Sequence, residues 1–263
     1  MFDDEDGSFD VINGGRGYTP FARMGGKSRL AKRLIEMFPP EDAYNVYVEP
    51  FVGAGNVILR TEKVEGRKEV INDKDKRVII VFRAIKKSGK KLNKDVNRHY
   101  LTRQQFDAGK DKMDAVNIIQ TFKSSFFGQG LTYSPANMIT RDNKEWQTDF
   151  EPIHDRIKNM TILNEDFTKV IKKYDSDKTF FYLDPPYENP KKTDYPDYVT
   201  PEMVINAVQH CKGYVMISYN DSPHIRKLFK GIGWKIKSVK TRYIGTQNIK
   251  TREVNELVIM NYE

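Results

Sequence analysis

Asp184-Pro185-Pro186-Tyr187 closes an apolar run, Thr179-Phe180-Phe181-Tyr182-Leu183, so it stands where a buried strand should end. These residue types suit a specific chemistry. The exocyclic amine of adenine is a poor nucleophile, because its lone pair is delocalised into the ring. A carboxylate and a backbone carbonyl can each accept one of its two N–H bonds and localise the lone pair toward an incoming methyl group. Asp184 and the carbonyl of Pro185 are the candidate acceptors. Pro185 and Pro186 fix φ and stiffen the turn that aims them. Tyr187 offers a ring on which a base drawn out of a duplex can stack. The plain alternative is a strand that ends in a rigid Pro-Pro turn.

Two upstream segments add binding chemistry. Val46-Tyr47-Val48 reads as a short strand and runs into Glu49-Pro50-Phe51-Val52-Gly53-Ala54-Gly55-Asn56. Gly53 and Gly55 permit a tight turn and close approach of backbone to a ligand, as at the carboxyl ends of parallel strands that bind nucleotides. The segment lacks the third glycine of a dinucleotide fingerprint and the Gly-Lys-Ser/Thr ending of a phosphate loop. Glu49 would repel phosphates but suits a cationic ligand. About twenty residues on, Glu69-Val70-Ile71-Asn72-Asp73-Lys74-Asp75 reads as a second strand ending in acids. Asp73 either accepts hydrogen bonds from ribose hydroxyls or caps the next helix, which should begin near Lys76.

Taken in order, Phe21-Ala22-Arg23-Met24-Gly25-Gly26-Lys27, Glu49-Pro50-Phe51-Val52-Gly53-Ala54-Gly55 and Asp184-Pro185-Pro186-Tyr187 resemble the Dam-like (D12 class, alpha group) adenine-N6 DNA methyltransferases. The likeness runs from about Pro20 to Glu263. It takes in Ile162-Leu163-Asn164-Glu165-Asp166-Phe167 and the closing Asn255-Glu256-Leu257-Val258-Ile259-Met260-Asn261-Tyr262. In that family S-adenosylmethionine donates the methyl group. The resemblance implies that Met24, Gly25, Gly26 and Lys27 hold it together with Glu49, Pro50, Phe51, Gly53, Gly55 and Asn56. Asp73 is implied at its ribose, and Asp166 and Phe167 beside its adenine. Asp184, Pro185, Pro186 and Tyr187 are implied at the target base. An aromatic residue often precedes the Gly-x-Lys segment in the family; Arg23 and Met24 stand there in this chain.

The elements that must position these residues follow from the apolar pattern. Strands are expected near 46–48, 69–72, 161–163, 179–183 and 213–218, alternating with helices. A helix over Ser28–Phe38 puts Leu30, Leu34, Ile35 and Phe38 on one face and stops at Pro39-Pro40. The tail, 234–243 and 255–262, reads as an antiparallel pair. The fold implied is α/β, a Rossmann-like methyltransferase with a mixed seven-stranded sheet. Residues 1–12 are expected to be a flexible acidic tail, and 13–73 with 161–263 the catalytic domain. Residues 74–160, with a changed pattern and dense lysine over 86–94, are expected to be an inserted helical target-recognition domain. Its polar stretch from Phe126 to Arg141 supplies amides, hydroxyls and an arginine suited to base edges or phosphates. Ser124, Tyr133, Asn137, Arg141 and Lys144 are the candidate DNA contacts; the alternative is a loop packed on the core by Phe126 and Phe127. The Asn-Val-Pro-Phe-Gly segment of the GATC-reading members is absent, so the target sequence stays open. Glu188–Tyr198 is either a loop that orders over a flipped nucleotide or a plain surface loop.

Composition fits this reading. The 263 residues are 38% hydrophobic, enough for a real core, and suit one large α/β domain or a domain with an insert. The net charge is +8, but residues 1–10 hold five acids and no base. Setting those five apart from the 36 acids leaves 31 against 44 bases, so the body carries +13. A body of that charge attracts polyanions in a salt-sensitive way, the plain alternative being a soluble, Lys-rich surface with no nucleic-acid role; the resemblance implies double-stranded DNA as the partner. Cys211 is the only cysteine, and His99, His154, His210 and His224 lack metal-ligand spacing, so no metal is expected. The sequence shows no signal peptide and no long apolar span. No membrane partner is therefore expected, and the chain reads as a cytoplasmic monomer or weak dimer, bacterial or phage-encoded by resemblance. The expected activity is methyl transfer from S-adenosylmethionine to adenine N6 in DNA, with base flipping. An RNA adenine methyltransferase and a non-catalytic DNA-binding protein on the same scaffold are the alternatives. A cytosine-N4 enzyme ranks lower, since those usually carry Ser in place of Asp184.

Overall fold

The structure is a computed structural model that describes residues 19–21, 23, 25–96, 99–135, 148–187, 198–243 and 252–263. The expected acidic tail at 1–12, Met24, Asn137, Arg141, Lys144 and the segment 188–197 lie outside the described residues. The chain divides into two compact units.

The first to consider spans Arg29–Val52, Glu62–Lys74 and Met160–Glu263. It holds a seven-stranded sheet of β1 (Val46–Glu49), β2 (Lys68–Asn72), β3 (Thr161–Leu163), β4 (Thr179–Leu183), β5 (Tyr214–Asn220), β6 (Lys235–Tyr243) and β7 (Arg252–Met260). The order is β3-β2-β1-β4-β5-β7-β6. All pairings are parallel except those of β7, which runs against β5 and β6. This is the mixed sheet expected from the sequence. Every residue of β4 is buried, which is why it reads as an unbroken apolar run: helices or loops cover both faces of a parallel sheet. On one face α7 (Phe167–Tyr174), α8 (Pro201–Val208) and α9 (Pro223–Lys230) lay Val170, Val204, Ile225 and Phe229 against Val48, Phe181, Ile217 and Leu257. On the other, Tyr47 stacks on Phe180 with ring centroids 5.3 Å apart, and Phe38 meets Phe180 edge-on at 4.6 Å.

One helix is shorter than its pattern. The helix α1 covers only Ala31–Ile35. Met37 and Phe38 donate to Leu34 and Ile35, three residues back, so the chain tightens before Pro39-Pro40 instead of continuing as α-helix.

The other unit comprises the described part of Met1–Ser28, with Gly53–Thr61 and Asp75–Asn159. It contains α2 (Lys76–Lys87), α3 (Gly89–Asp95), α4 (Arg103–Gly109), α5 (Ala115–Lys123) and α6 (Phe150–Ile157). Apolar residues of α2 and α5, such as Ile79, Phe82, Ile119 and Phe122, form its core. Asp75 caps α2 by accepting the Arg77 N–H at 3.0 Å, so the cap falls on Asp75 and not on Asp73. The reason is the helix start: a cap must stand one residue before Lys76 for its carboxylate to reach the exposed N–H groups of the first turn.

Candidate active site

The strand order of the sheet unit reverses between β1 and β4, with β2 on one side and β5 on the other. The carboxyl ends of strands at such a reversal open a crevice for ligands. Glu49 ends β1 there, and Asp184 follows β4.

Glu49 is buried, and the Tyr47 hydroxyl donates to its Oε1 at 2.6 Å. Burial, then the Glu49 charge, pushes the Tyr47 phenol well above the usual tyrosine range, so it stays a donor. Asn72, at the end of β2 and fully buried, ties the neighbouring ends together. Its Nδ2 donates to the Pro50 carbonyl at 2.9 Å and the Glu165 carbonyl at 3.1 Å, and its Oδ1 accepts the Glu165 N–H at 2.8 Å. Asn164 Nδ2 donates to the Asp73 carbonyl at 2.7 Å. The Phe51 and Phe167 rings lie 4.9 Å apart. Asp166 caps α7, accepting the Thr168 N–H at 2.9 Å. Its carboxyl is partly desolvated, yet the Thr168 hydrogen bonds hold it below the usual carboxylate range. Thus Glu49, Pro50, Phe51, Asp73, Asp166 and Phe167, taken from three distant stretches of sequence, come together at one edge of the sheet.

Asp184 is half-buried, and Ser218 Oγ of β5 donates to its Oδ1 at 3.0 Å. Behind Ser218 stands the Tyr182 hydroxyl, also at 3.0 Å. Pro185 is buried, while Pro186 and Tyr187 are half-buried. The Tyr187 hydroxyl donates to Glu256, a buried carboxylate on β7. Asn72, Tyr182, Ser218 and Glu256 carried no role in the sequence reading. The signal that marks Ser218 and Glu256 is a small or charged polar residue directly beside a buried apolar run, as in Met216-Ile217-Ser218 and Glu256-Leu257-Val258-Ile259.

In the helical unit the two glycine segments meet. A Cβ on Gly26 would stand 2.8 Å from Asn56 Nδ2 and 3.0 Å from the Arg23 carbonyl oxygen, so only glycine fits there. Gly55, at φ +74°, sits where a Cβ would press on Leu59 and Phe82 at 3.1 Å. Lys27 is buried, and its Nζ donates to the Gly25 carbonyl at 3.0 Å. Gly53 takes φ +50° at the start of the turn. Where the family often has an aromatic residue, Arg23 reaches Asp75 Oδ2 at 2.7 Å. Arg77 grips the same carboxylate, and both guanidiniums lie over the Phe122 ring, at 5.8 and 5.1 Å. Burial opposes the Asp75 charge, but Arg77 and Arg23 outweigh it and hold the carboxyl below its usual range.

Of the candidate DNA contacts, Ser124 is fully buried, and its Oγ accepts the Leu101 N–H at 2.9 Å. It therefore serves the interior of the helical unit. Tyr133 pairs as a bridge with Ser125 and packs its ring 5.7 Å from Phe106. Leu131, between them, is exposed.

A family model described as D12 class N6 adenine-specific DNA methyltransferase matches residues 24–244. The chain belongs to this family. It is an enzyme that methylates adenine in DNA, and the RNA and non-catalytic alternatives lose their ground. Among relatives, it is 24% identical over 302 residues to "Type II methyltransferase M.MjaIII" of Methanocaldococcus jannaschii, covering 92% of this chain and 99% of that one. It is 25% identical over 274 residues to "DNA adenine methylase" of Haemophilus influenzae, covering 92% and 93%. Among solved structures, it matches a precorrin-6y C5,15-methyltransferase of Geobacter metallireducens with a TM-score of 0.40 at 10% identity, covering 88% and 86%. Among the described residues no helix is long and apolar enough to cross a membrane, and no cluster of three metal-ligating side chains occurs.

Proposed function

We propose that this D12-class chain transfers the methyl group of S-adenosylmethionine to adenine N6 in double-stranded DNA, with Asp184 as the acceptor that activates the amine. The residues fit that cofactor. Gly26 packs its backbone tightly against Asn56 and the Arg23 carbonyl, and Glu49 and Asp73 are acids at adjacent strand ends, suited to a cation and a ribose. When bound, S-adenosylmethionine supplies an electrophilic methyl carbon on a sulfonium, so neither a metal nor a covalent enzyme intermediate is required.

The chain's own residues then bind and orient. Asp184 and the Pro185 carbonyl take the two N–H bonds of the target amine and turn its lone pair outward. No proton needs to leave before the new C–N bond forms, since the aminium product sheds one afterwards. Tyr187 stacks on the flipped base, which offsets part of the few kcal/mol that flipping costs. Pro186 keeps the turn rigid. Glu49, with Pro50 and Phe51, faces the methionine end, Asp73 the ribose, and Asp166 and Phe167 the cofactor adenine. In the helical unit, Met24, Gly25, Gly26, Lys27, Gly53, Gly55 and Asn56 are the proposed cofactor contacts. Tyr133, Asn137, Arg141 and Lys144 are the proposed DNA contacts, within residues 74–160 as the target-recognition region. We assign the chain to the cytoplasm of a bacterial or phage-infected cell, acting as a monomer or weak dimer.

The observation that carries the assignment of Asp184 is its place beyond β4 at the reversal of strand order, with its carboxylate held by Ser218. The decisive experiment measures tritiated methyl transfer to methylation-free plasmid DNA, followed by nucleoside analysis for N6-methyladenine. Asp184→Ala should abolish transfer and leave S-adenosylmethionine binding largely intact. Asp184→Asn should also be severely impaired, because an amide is a weaker acceptor and half of it donates. Near-normal turnover in Asp184→Ala sinks the mechanism.

A further inference from the structure

The hydroxyls behind Asp184 admit only one order of donors. Ser218 Oγ lies 3.0 Å from Asp184 Oδ1, 3.0 Å from the Tyr182 hydroxyl and 3.5 Å from the Leu183 carbonyl oxygen. Both residues are closed off from solvent, Ser218 at 0% exposure and Tyr182 at 2%. A serine has a single hydroxyl proton. An ionised carboxylate and a carbonyl can only accept, so that proton goes to one of them. The shorter, charge-assisted bond to Asp184 Oδ1 wins over the bond to Leu183 at the limit of hydrogen-bond length. Ser218 then has only lone pairs left for Tyr182, and Tyr182 must be the donor. Burial, then the nearby Asp184 charge, pushes the Tyr182 phenol well above its usual range, so its proton stays in place. The order is Tyr182 O–H to Ser218 O–H to Asp184 Oδ1, and bonds in such a chain polarise one another.

This order bears on the reaction because an aspartate does not fix its own carboxylate plane. Its second side-chain torsion is broad and roughly two-fold. The turn through Pro185 and Pro186 sets where the Asp184 side chain starts, but not how its oxygens are rotated. A donor at Oδ1 sets that rotation, and with it the direction of the lone pairs available to an amine. Ser218 is fully buried within Tyr214–Asn220, where a hydroxyl adds nothing to packing that an apolar side chain of its size would not supply.

We propose that Ser218, and Tyr182 acting through it, are positioning residues that fix the Asp184 carboxylate for the target amine. The proposal rests on Asp184 being the amine acceptor. It goes beyond that assignment by naming two residues, from different strands, without which the acceptor is present but misaimed.

The test compares Ser218→Ala, Tyr182→Phe and the double variant with the unaltered protein. Single-turnover methylation of methylation-free plasmid DNA is followed at saturating S-adenosylmethionine and DNA, and cofactor affinity is measured by calorimetry. Ser218→Ala should slow transfer by about 10–100-fold, the usual size of an effect from misplacing a reacting group or removing its supporting partner. Cofactor affinity and KM for DNA should stay unchanged. Tyr182→Phe keeps the ring in its packing and should slow transfer less, because Ser218 still has its proton to give. The double variant should match Ser218→Ala alone, since the hydrogen bond by which Tyr182 supports Asp184 runs through Ser218. A merely structural pair would instead lose cofactor affinity and rate together, or show losses that multiply in the double variant. Either result overturns the proposal, and so does a Ser218→Ala protein as fast as the unaltered one. If Ser218→Ala does not fold, Tyr182→Phe decides alone: an unchanged rate overturns the chain. An unaltered protein that forms no N6-methyladenine would count against the functional assignment instead.

Discussion

Asp75→Ala should destabilise the helical unit by about 3 kcal/mol, near the low end of the range for breaking a buried ion pair. The Asp75 side chain is 9% exposed. Its Oδ2 accepts from Arg23 at 2.7 Å and from Arg77 at 2.9 Å. Its Oδ1 accepts the Arg77 N–H at 3.0 Å and the Arg77 Nε–H at 3.1 Å. Truncation leaves two guanidiniums, 14% and 21% exposed, with their shared anion gone. It also removes the cap of α2, worth about 0.5–2 kcal/mol by itself. The residual exposure of both arginines lets water recover part of the loss, which places the sum toward 3 and not 5 kcal/mol. Asp75→Asn keeps one oxygen for the cap but presses an amide N–H₂ on a guanidinium, so it should fall between the two. Urea unfolding by circular dichroism, with hydrogen exchange of the α2 amides, measures the effect. Acidity gives a second check. The folded-state carboxyl lies below its ordinary value of 3.8, so its contribution is complete above that value and disappears as pH falls through the folded one. The gap between the unaltered protein and Asp75→Ala should therefore narrow on acidification across that window. An unchanged midpoint in Asp75→Ala, with α2 amides equally protected, refutes the reasoning.

Three further outcomes are expected. Gly26→Ala forces a Cβ to 3.0 Å from the Arg23 carbonyl oxygen, which cannot swing aside as the Asn56 amide can, and overpacking of this kind costs about 1–3 kcal/mol. Calorimetry should show weaker S-adenosylmethionine binding, and unchanged affinity would remove this segment from the cofactor's surroundings. Asp73→Ala should weaken cofactor binding by about 1–3 kcal/mol, the range for a lost charged hydrogen bond; titrations that leave both Asp73→Ala and Glu49→Ala unaffected rule out the pocket. Glu256→Gln keeps its size but loses the charge that grips the Tyr187 hydroxyl, so methylation should slow while cofactor affinity holds, and an unchanged rate dismisses Glu256 as a support for Tyr187.

Much of the fold was legible because its signals are local. The run Thr179–Leu183 is apolar because helices and loops cover both faces of β4, and burial leaves that mark on sequence at any central parallel strand. The antiparallel tail showed in the same way, as two long strands with no helix between them. Helix ends were less legible. The pattern at Ser28–Phe38 fits a helix of three turns, yet the chain tightens after Ile35 because Pro39 and Pro40 lie ahead. The cap of α2 was ambiguous because both Asp73 and Asp75 precede Lys76, and only the first hydrogen-bonded turn determines which one meets the free N–H groups.

For the site, the sequence by itself determined the reacting group and the turns: Asp184 with its prolines, and glycines where a side chain would collide. Those requirements are met within a few residues of chain, so they show as motifs. Tertiary structure alone decided what holds these groups. Ser218 is 34 residues from Asp184, Glu256 is 69 from Tyr187, and Asn72 is 93 from Glu165. Each is a polar residue at a buried strand position, and a single serine, asparagine or glutamate there has no spacing to announce its partner. Its meaning arises when the sheet order β3-β2-β1-β4-β5-β7 sets distant strands side by side, because burial then obliges the polar groups there to find hydrogen bonds across strands.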